Sequence, residues 1–225
     1  MSWQPPIMHN RMPLLGRAVR KLKNGLFAIV KWLPEGKALL ETQGTQVPID
    51  FDRWFGQRIL GINGSAYWPM HRSSTVTYAK NVIIGIETSP GWSPGCMIHG
   101  VNGIYIGDYT QISQNVAILS GNHDPYDLTG QLPAPPIRIG KYCLLGFNSV
   151  ILPGVVLGDY TIVAANAVVR ESFPQGFAVL AGAPARAVKR LDPGKARNIR
   201  SAHEYHGYVR AEHFRAFADR YLTLK

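Results

Sequence analysis

The chain contains only two cysteines, Cys96 and Cys143, among 225 residues. Two thiols cannot form the disulfide framework of a small secreted domain, so we expect both to be reduced and partly buried in a cytosolic protein. Charged residues are also few, at 17% of the chain against 46% hydrophobic residues. This balance excludes a disordered chain, and the length suffices for one sizeable core with terminal extensions.

Long hydrophobic runs are lacking as well. The longest one near the N-terminus, GLFAIVKWL at residues 25–33, is too short to span a bilayer and is interrupted by Lys31. The first residues, MSWQPPIMHNRMPLLGR, have no continuous apolar segment of the kind found in a secretory signal. We therefore expect a cytoplasmic protein.

Residues 17–33 carry apolar side chains at helical spacing beside a basic face, which predicts an amphipathic helix. Two interpretations stay open for this helix. It lies on an anionic membrane surface, which would suit a lipid-linked saccharide acceptor at the inner face of the membrane, or it packs its apolar stripe on the rest of the protein.

The net charge of +10 is unevenly distributed. Residues 76–185 contain four basic and six acidic side chains, so the excess of positive charge lies on the two flanks. Basic flanks favour an anionic partner, such as a phosphorylated substrate or anionic lipid. We find no helix-turn-helix, zinc-finger or RNP-like aromatic motif, so nucleic acid is not an expected partner.

An aliphatic residue recurs at every sixth position from residue 139 onward. The six positions are Ile139, Leu145, Ile151, Leu157, Val163 and Val169. Small or slender residues follow each of the first five at the fourth position after it. A period of six fits neither an amphipathic helix nor an alternating strand. It predicts a parallel β-helix in which each flat face of a three-sided coil uses one hexapeptide, and in which stacked coils bury an aliphatic column.

Ile106, Ile112 and Ile118 share this register, but 21 residues separate Ile118 from Ile139. Because 21 is not a multiple of six, we expect the chain to leave the coil there as a loop that contains SGNHDPYDLTG. The predicted domains are an N-terminal mixed or helical extension over 1–66, the β-helix over 67–190 with its loop at 119–138, and a C-terminal helical tail over 191–225.

Three features together resemble the hexapeptide-repeat acyltransferases: the six-residue register, the histidine-bearing loop, and the sequence LAGAPARAVKR after the coils. The resemblance covers residues 76–190 and is closest to the galactoside and maltose O-acetyltransferases and to the O-acetyltransferases of capsular and exopolysaccharide synthesis. It implies an all-β core built as a left-handed parallel β-helix. It also implies a homotrimer that uses acetyl-CoA as donor and needs no metal.

The resemblance assigns the role of general base to His123, which would take the proton of an acceptor hydroxyl as its oxygen attacks the thioester. Histidine suits this role because imidazole groups titrate near neutral pH. Asp124 either orients the imidazole or caps the turn. The backbone N–H of Phe147 would stabilise the oxyanion of the tetrahedral intermediate.

The same resemblance implies binding residues for both substrates. Those for coenzyme A are Gly146, Ala165, Arg170, Ala183, Arg186 and Lys189. The candidates for the acceptor are Ser93, Asn102, Asn122, Tyr126 and Asp127, of which Asp127 is equally explained by turn chemistry. The chain departs from the family where Leu144 replaces a frequent Trp and where Glu171 replaces a common basic residue. The pattern that holds simple sugars in the galactoside branch is not recognisable between residues 93 and 102.

The sequence thus favours an acetyl-CoA-dependent O-acetyltransferase that acts on a sugar hydroxyl, in a polysaccharide unit or its precursor. One alternative is an N-acetyltransferase of an amino sugar or xenobiotic amine, and another is a non-catalytic β-helix that serves as a scaffold. A zinc site of the carbonic-anhydrase type needs three imidazoles. His71, His99 and His123 are 28 and 24 residues apart, which matches no closely spaced ligand pair, so we expect no metal.

Overall fold

The computed structural model describes residues 35–224. The amphipathic helix predicted at 17–33 lies outside the described residues. Contacts between Cα atoms divide the chain into a unit Met1–Lys37, of which only residues 35–37 are described, and a compact unit Ala38–Lys225. None of the helices within residues 35–224 has the length and apolar character of a transmembrane span.

Short strands dominate the fold. Within residues 35–224 the α-helices are α1 (Gly36–Glu41), α2 (Phe51–Arg58) and α3 (Ala211–Tyr221). The strands are β1 (Thr75–Thr77), β2 (Val82–Ile84), β3 (Met97–His99), β4 (Ile104–Ile106), β5 (Gln111–Ile112), β6 (Ala117–Leu119), β7 (Asn122–His123), β8 (Gln131–Leu132), β9 (Ile137–Ile139), β10 (Leu144–Leu145), β11 (Val150–Ile151), β12 (Val156–Leu157), β13 (Thr161–Val163), β14 (Val168–Val169), β15 (Ala178–Ala181), β16 (Arg186–Arg190), β17 (Tyr205–His206) and β18 (Val209–Arg210).

Three sheets form the sides of a prism that the chain winds around. Sheet A has the order β1-β3-β6-β11-β14, sheet B the order β2-β4-β9-β12, and sheet C the order β5-β10-β13-β15-β16. All neighbours in these sheets pair in parallel except β15 and β16, which are antiparallel. From β4 to β14, apart from the two excursion strands β7 and β8, the strands belong in turn to sheets B, C and A, so each turn of the coil contributes one strand to each side.

The predicted aliphatic register is confirmed by burial. Every one of the six positions from Ile139 to Val169 is buried, and so are Ile106, Ile112 and Ile118. Residues of equivalent position stack across coils: Leu145 is paired with Ile112 on one side and Val163 on the other. Each such side chain contributes about 1.5–3 kcal/mol by leaving water. Cys96 and Cys143 are reduced and buried in the same core, and burial raises the pKa of the Cys143 thiol to about 11.

An aromatic column runs along the edge between sheets B and C. Tyr109, Tyr142, Tyr160 and Phe177 have φ values of 46–56° and stack at centroid distances of 4.8–5.4 Å. A left-handed backbone is uncommon for aromatic residues, and the ring stacking offsets its cost. Because the same backbone conformation recurs at this edge in successive coils, each of these coils turns the corner in the same way.

The C-terminal tail contains less helix than the sequence suggested. Only Ala211–Tyr221 forms an α-helix, whereas residues 196–204 have no regular secondary structure and lie beside the aromatic column. The hydroxyl of Tyr142 donates to the carbonyl of Ile199 at 3.1 Å, and that of Tyr160 donates to the carbonyl of Arg197 at 3.3 Å. These side-chain bonds hold the irregular segment, which then leads through the β17–β18 hairpin into α3.

Close packing of the coils predicts a strong effect of a single methyl group. A Cβ at Gly158 would collide with the carbonyl oxygen of Pro174 and the amide nitrogen of Gly176, both parts of the next coil. We expect Gly158→Ala to lower the free energy of unfolding by about 1–3 kcal/mol or more, because backbone cannot move aside as a side chain can. Thermal denaturation measures the change.

The matched control is Gly56→Ala, in which the added Cβ meets no atom within 4 Å on helix α2. There the expected change is a stabilisation of roughly 0.5–1 kcal/mol, because alanine is the better helix former. Equal shifts in melting temperature for the two variants would contradict the close packing of the coils.

Candidate active site

The chain leaves the prism after β6 and returns to it at β9. Between them, β7 and β8 pair antiparallel with Asn122 opposite Leu132 and His123 opposite Gln131. The side-chain amide of Asn102 holds the base of this excursion, since it donates to the carbonyls of Ser120 and Leu132 at 2.9 Å each. One side chain therefore ties together the outgoing and the returning arm.

His123 is exposed on the outgoing arm, and its Nε2 lies 3.5 Å from the side-chain nitrogen of Gln131. The carboxylate of Asp124 accepts a bond from the backbone N–H of Tyr126 at 2.8 Å and makes none to the imidazole. Asp124 thus acts as a turn cap in this structure. The imidazole is free to meet a ligand from outside the chain.

The other loop residues named by the sequence also shape the turn. Asp127 accepts bonds from the backbone N–H and hydroxyl of Thr129, which lower the pKa of its carboxyl group. Tyr126 is 99% exposed and Asn122 is exposed beside His123. Among these, Asn122 and Tyr126 keep side chains available for an acceptor.

Phe147 lies at a different edge of the prism, between sheets C and A. Residues 146–149 form a four-residue turn in which the Ser149 N–H donates to the Gly146 carbonyl at 3.2 Å and Asn148 has φ 57°. This is the arrangement of a type II turn, whose second residue points its N–H outward. The Phe147 N–H has no acceptor within residues 35–224.

The same turn recurs in the neighbouring coils, at residues 113–116 and 164–167. Gln114 and Ala165 are exposed at the position equivalent to Phe147, and their N–H groups also lack acceptors in the described part of the chain. The Asn148 N–H bonds to the carbonyl of Gln114, and the Asn166 N–H bonds to that of Phe147, so the three turns are stacked. The result is a row of three outward amides about 4.8 Å apart.

The remaining residues assigned to coenzyme A lie near the last coil. Gly146 and Ala165 stack in this row of turns, since a Cβ at Gly146 would lie 2.8 Å from the Ala165 nitrogen. Arg170 and Arg186 both approach Glu171, at 3.8 and 3.1 Å. Ala183, in the turn between β15 and β16, and Lys189, on β16, are exposed. The region therefore offers hydrogen-bond donors and positive charge beside an exposed backbone.

The two remaining acceptor candidates belong to opposite edges. Asn102 lies at the base of the excursion, where its amide is committed to the loop. The Ser93 hydroxyl donates to the carbonyl of Ile112 at 3.0 Å and so stays on the edge that carries Phe147. His123 and Phe147 lie at opposite edges of sheet A. One side of the prism is a hexapeptide wide, and six residues of extended chain span at most ~20 Å. No hydrogen bond joins the two groups within residues 35–224.

The outer surface of sheet A separates these two edges and is largely apolar. It presents Met97, which is 49% exposed, together with Leu119, Val150 and Val168. His99 sits in this surface, with its Nδ1 2.6 Å from the Thr77 hydroxyl. No group of three or more His, Cys, Asp or Glu within residues 35–224 is arranged to hold a metal ion.

Comparison with known proteins bears on this architecture. The family described as bacterial transferase hexapeptide (six repeats) matches residues 136–171. The colanic acid biosynthesis acetyltransferase named WcaF of Escherichia coli K12 is 34% identical over 139 residues, which cover 61% of this chain and 75% of that protein. The lipopolysaccharide biosynthesis O-acetyl transferase named WbbJ of the same strain is 32% identical, over 42% of this chain and 54% of its own length.

Two solved structures share the fold. A galactoside acetyltransferase in complex with coenzyme A aligns with a TM-score of 0.51 and 19% identity, over 86% of this chain and 90% of its own. A maltose O-acetyltransferase from Clostridium difficile 630 aligns with a TM-score of 0.50 and 18% identity, over 80% and 90%. The fold class is the left-handed parallel β-helix, as predicted.

The coiled prism and its repeats define a transferase of the hexapeptide type. The chain belongs to the family of bacterial hexapeptide-repeat transferases. This confirms the resemblance drawn from the six-residue register, from the loop and from the closing LAGAPAR sequence.

The role of Asn102 as a tie for the loop can be tested. Asn102→Ala removes both bonds that hold the arms of the excursion, and we expect faster amide hydrogen exchange over residues 121–136 with little change in the coils. The loss of two hydrogen bonds corresponds to roughly 1–3 kcal/mol in local opening. Exchange followed by mass spectrometry measures it.

A suitable control is Gln43→Ala, which also removes two side-chain bonds, to the carbonyls of Leu39 at 2.6 Å and Ile49 at 3.1 Å, neither of which lies in or beside the loop. If Asn102→Ala and Gln43→Ala change exchange in the loop equally, Asn102 does not tie the two arms.

Proposed function

We propose that the protein transfers an acetyl group from acetyl-CoA to a hydroxyl of a sugar, in a polysaccharide unit or its precursor. The observation that carries this proposal is an exposed imidazole on the excursion loop, in contact only with the Gln131 side chain within residues 35–224, together with a row of free amides on the far edge of sheet A. The names of the relatives, for colanic acid and lipopolysaccharide biosynthesis, support a saccharide acceptor.

In the proposed reaction, His123 takes the proton of the acceptor hydroxyl while its oxygen bonds to the thioester carbonyl carbon. The carbonyl oxygen becomes an oxyanion, which accepts a hydrogen bond from the Phe147 N–H. Collapse of this intermediate breaks the carbon–sulfur bond, and the imidazolium returns its proton to the departing CoA thiolate. One ester and one thiol replace one thioester and one hydroxyl. A base of this kind contributes about 10²–10⁴-fold to the rate.

The donor fits the row of amides. Its pantetheine arm carries amide carbonyls, which can accept from outward N–H groups such as that of Ala165. Its phosphates would meet Lys189, which is exposed, and Arg186, which Glu171 also contacts. The row ends at the last coil, where these basic side chains begin, so one extended molecule can meet both features. We infer residues 67–190 to be the catalytic domain.

The separation of His123 from Phe147 leads us to propose that each site is built from two subunits of a homotrimer. In a cyclic assembly the loop edge of one subunit meets the Phe147 edge of the next, because such interfaces join two different surfaces. Burial of the apolar outer surface of sheet A would contribute to the stability of that assembly. We propose a cytoplasmic location, with the reaction at the inner face of the membrane when the acceptor is lipid-linked.

The base assignment predicts a large effect of one substitution. His123→Ala should lower kcat by about 10²–10⁴-fold with an unchanged melting temperature, since the side chain is exposed. Release of free CoA thiol from acetyl-CoA in the presence of saccharide acceptors measures turnover. His213→Ala, which alters another exposed histidine, should leave turnover unaltered.

The stability of the product in alkali distinguishes O-acetylation from N-acetylation. Mild alkali should release the transferred acetyl group, because an ester is cleaved under conditions in which an amide persists. An alkali-stable product would indicate N-acetylation, and full activity of the His123→Ala protein would overturn the base assignment.

A mixing experiment tests the shared site. Phe147→Pro removes the proposed oxyanion donor, and the turn tolerates proline because Pro153 occupies the equivalent place in the turn at residues 152–155. His123→Ala and Phe147→Pro trimers should each be nearly inactive. After random exchange of equal amounts, about three quarters of the trimers are mixed and each of these retains one intact site out of three, so the mixture should recover about a quarter of wild-type activity.

The two variants must first be shown to be folded, by their melting temperatures, and to exchange subunits, by mass spectrometry of the intact assembly. Mixed trimers that remain inactive would place both groups of a site in one subunit.

A further inference from the structure

A cavity of about 320 Å³ lies between helix α2 and the chain that enters the first coil. Its volume is at the lower end of the range for small-molecule sites, about 300–1,000 Å³. The side chains that matter are Asp52, Phe55, Leu60, Ile62, His71 and Arg72. None of them belongs to the proposed catalytic groups.

Two side chains in this cavity lack partners, and a third has one nitrogen free. Asp52 and Arg72 are both exposed, and the side chain of neither forms a hydrogen bond or ion pair within residues 35–224. His71 uses Nδ1 toward the Ser73 hydroxyl at 2.8 Å, which leaves Nε2 available. The neighbouring Asp50 and Arg53 differ, because they pair with each other and Arg53 also bonds to the Trp92 carbonyl. Asp50 and Arg53 therefore belong to the framework that holds the cavity, whereas the other polar groups in its wall remain available to a ligand.

Apolar side chains form the rest of the wall. Phe55 and Ile62 are each 38% exposed and Leu60 is 60% exposed, all toward the same cavity. A sugar ring combines hydroxyls around its edge with C–H groups on its faces. Carboxylate and guanidinium groups form charge-assisted hydrogen bonds to hydroxyls, while the C–H face packs on an aromatic or aliphatic wall. The mixture of groups suits a saccharide unit better than a purely anionic or purely apolar ligand.

The cavity is connected to the row of amides by a continuous series of hydrogen bonds. The Gly95 N–H donates to the Ser73 hydroxyl at 3.1 Å, the Asn115 N–H to the Pro94 carbonyl at 3.0 Å, and the Asn148 N–H to the Gln114 carbonyl at 3.0 Å. Three coil steps of about 4.8 Å place the rim of the cavity ~14 Å below Phe147 along the same edge. This exceeds the width of one sugar ring.

We propose that this cavity binds a sugar unit of the acceptor remote from the hydroxyl that is acetylated, so that the enzyme selects a saccharide of several units. The proposal rests on the proposed function for its acetylated end. The interactions come from Asp52, His71 and Arg72, and the ring face packs on Phe55.

The experiment compares acceptors of different length. The probes are methyl β-galactoside and de-O-acetylated colanic acid fragments separated by size, with acetyl-CoA as donor. For the wild-type protein, we expect kcat/KM to rise with fragment length. Arg72→Met and Asp52→Asn should each lower kcat/KM for the longer fragments by about 10-fold or more, the effect of losing a charge-assisted hydrogen bond, through KM and not kcat.

Both variants should leave KM for acetyl-CoA unaltered. Arg215→Met, which removes an exposed arginine from helix α3, is the matched control and should behave as wild type. Calorimetric titration of the longer fragments into the protein without donor gives a second readout, in which binding weakens for Arg72→Met and not for Arg215→Met.

The outcomes separate the two proposals. Turnover of every probe with no dependence on length or on Arg72 would overturn the remote subsite and leave the proposed function standing. Absence of turnover with calorimetric binding that depends on Arg72 would support the subsite and refute the proposed reaction. Absence of both turnover and binding would overturn both.

Discussion

Leu145 packs between Ile112 and Val163, and this contact between aliphatic side chains of successive coils sets the spacing of the whole molecule. A single coil has no interior of its own, because its inward side chains are covered only when another coil lies above and below. Each coil therefore repeats the path of its neighbour at about 4.8 Å. Groups that one corner exposes to solvent therefore recur in the next coils and form a straight row along that edge.

The proposed catalytic groups lie at two places: one where the repeated turns leave backbone amides exposed, and one where the repeat is interrupted. At the edge between sheets C and A, identical turns leave the amides of Gln114, Phe147 and Ala165 outside the ladder, which yields donors in a line without any dedicated side chain. At the other end of sheet A, the chain breaks the register to project His123. A rigid prism cannot fold its edges onto each other, so the proposed reaction needs a neighbouring subunit. The same rigidity links the turns near Phe147 to the remote cavity at Arg72.

The buried register could be predicted because each inward position accepts only an aliphatic side chain, as at Ile151 and Val169. The loop could be predicted because it violates that period. The left-handed conformation of Tyr142 and Tyr160 was not foreseen, since aromatic residues rarely adopt it, although their 18-residue recurrence was a signal in the sequence. The function of Asn102 depends on partners 18 and 30 residues away, which no local pattern reveals. The cavity near α2 lies outside the six-residue repeat, so no periodicity in the sequence predicts it.

The antiparallel strand β16 has a consequence for how copies of the chain can meet. A parallel coil exposes at its end the same N–H and C=O pattern that it used to pair with the coil before, and such an edge invites further strands. β16 reverses direction against β15, and its exposed side chains include Arg186, Lys189 and Arg190. Another prism arriving end-on at sheet C would meet a strand of the wrong polarity and a cluster of like charges. Strand β16 therefore opposes end-to-end assembly of prisms into fibres, but it does not hinder side-by-side assembly.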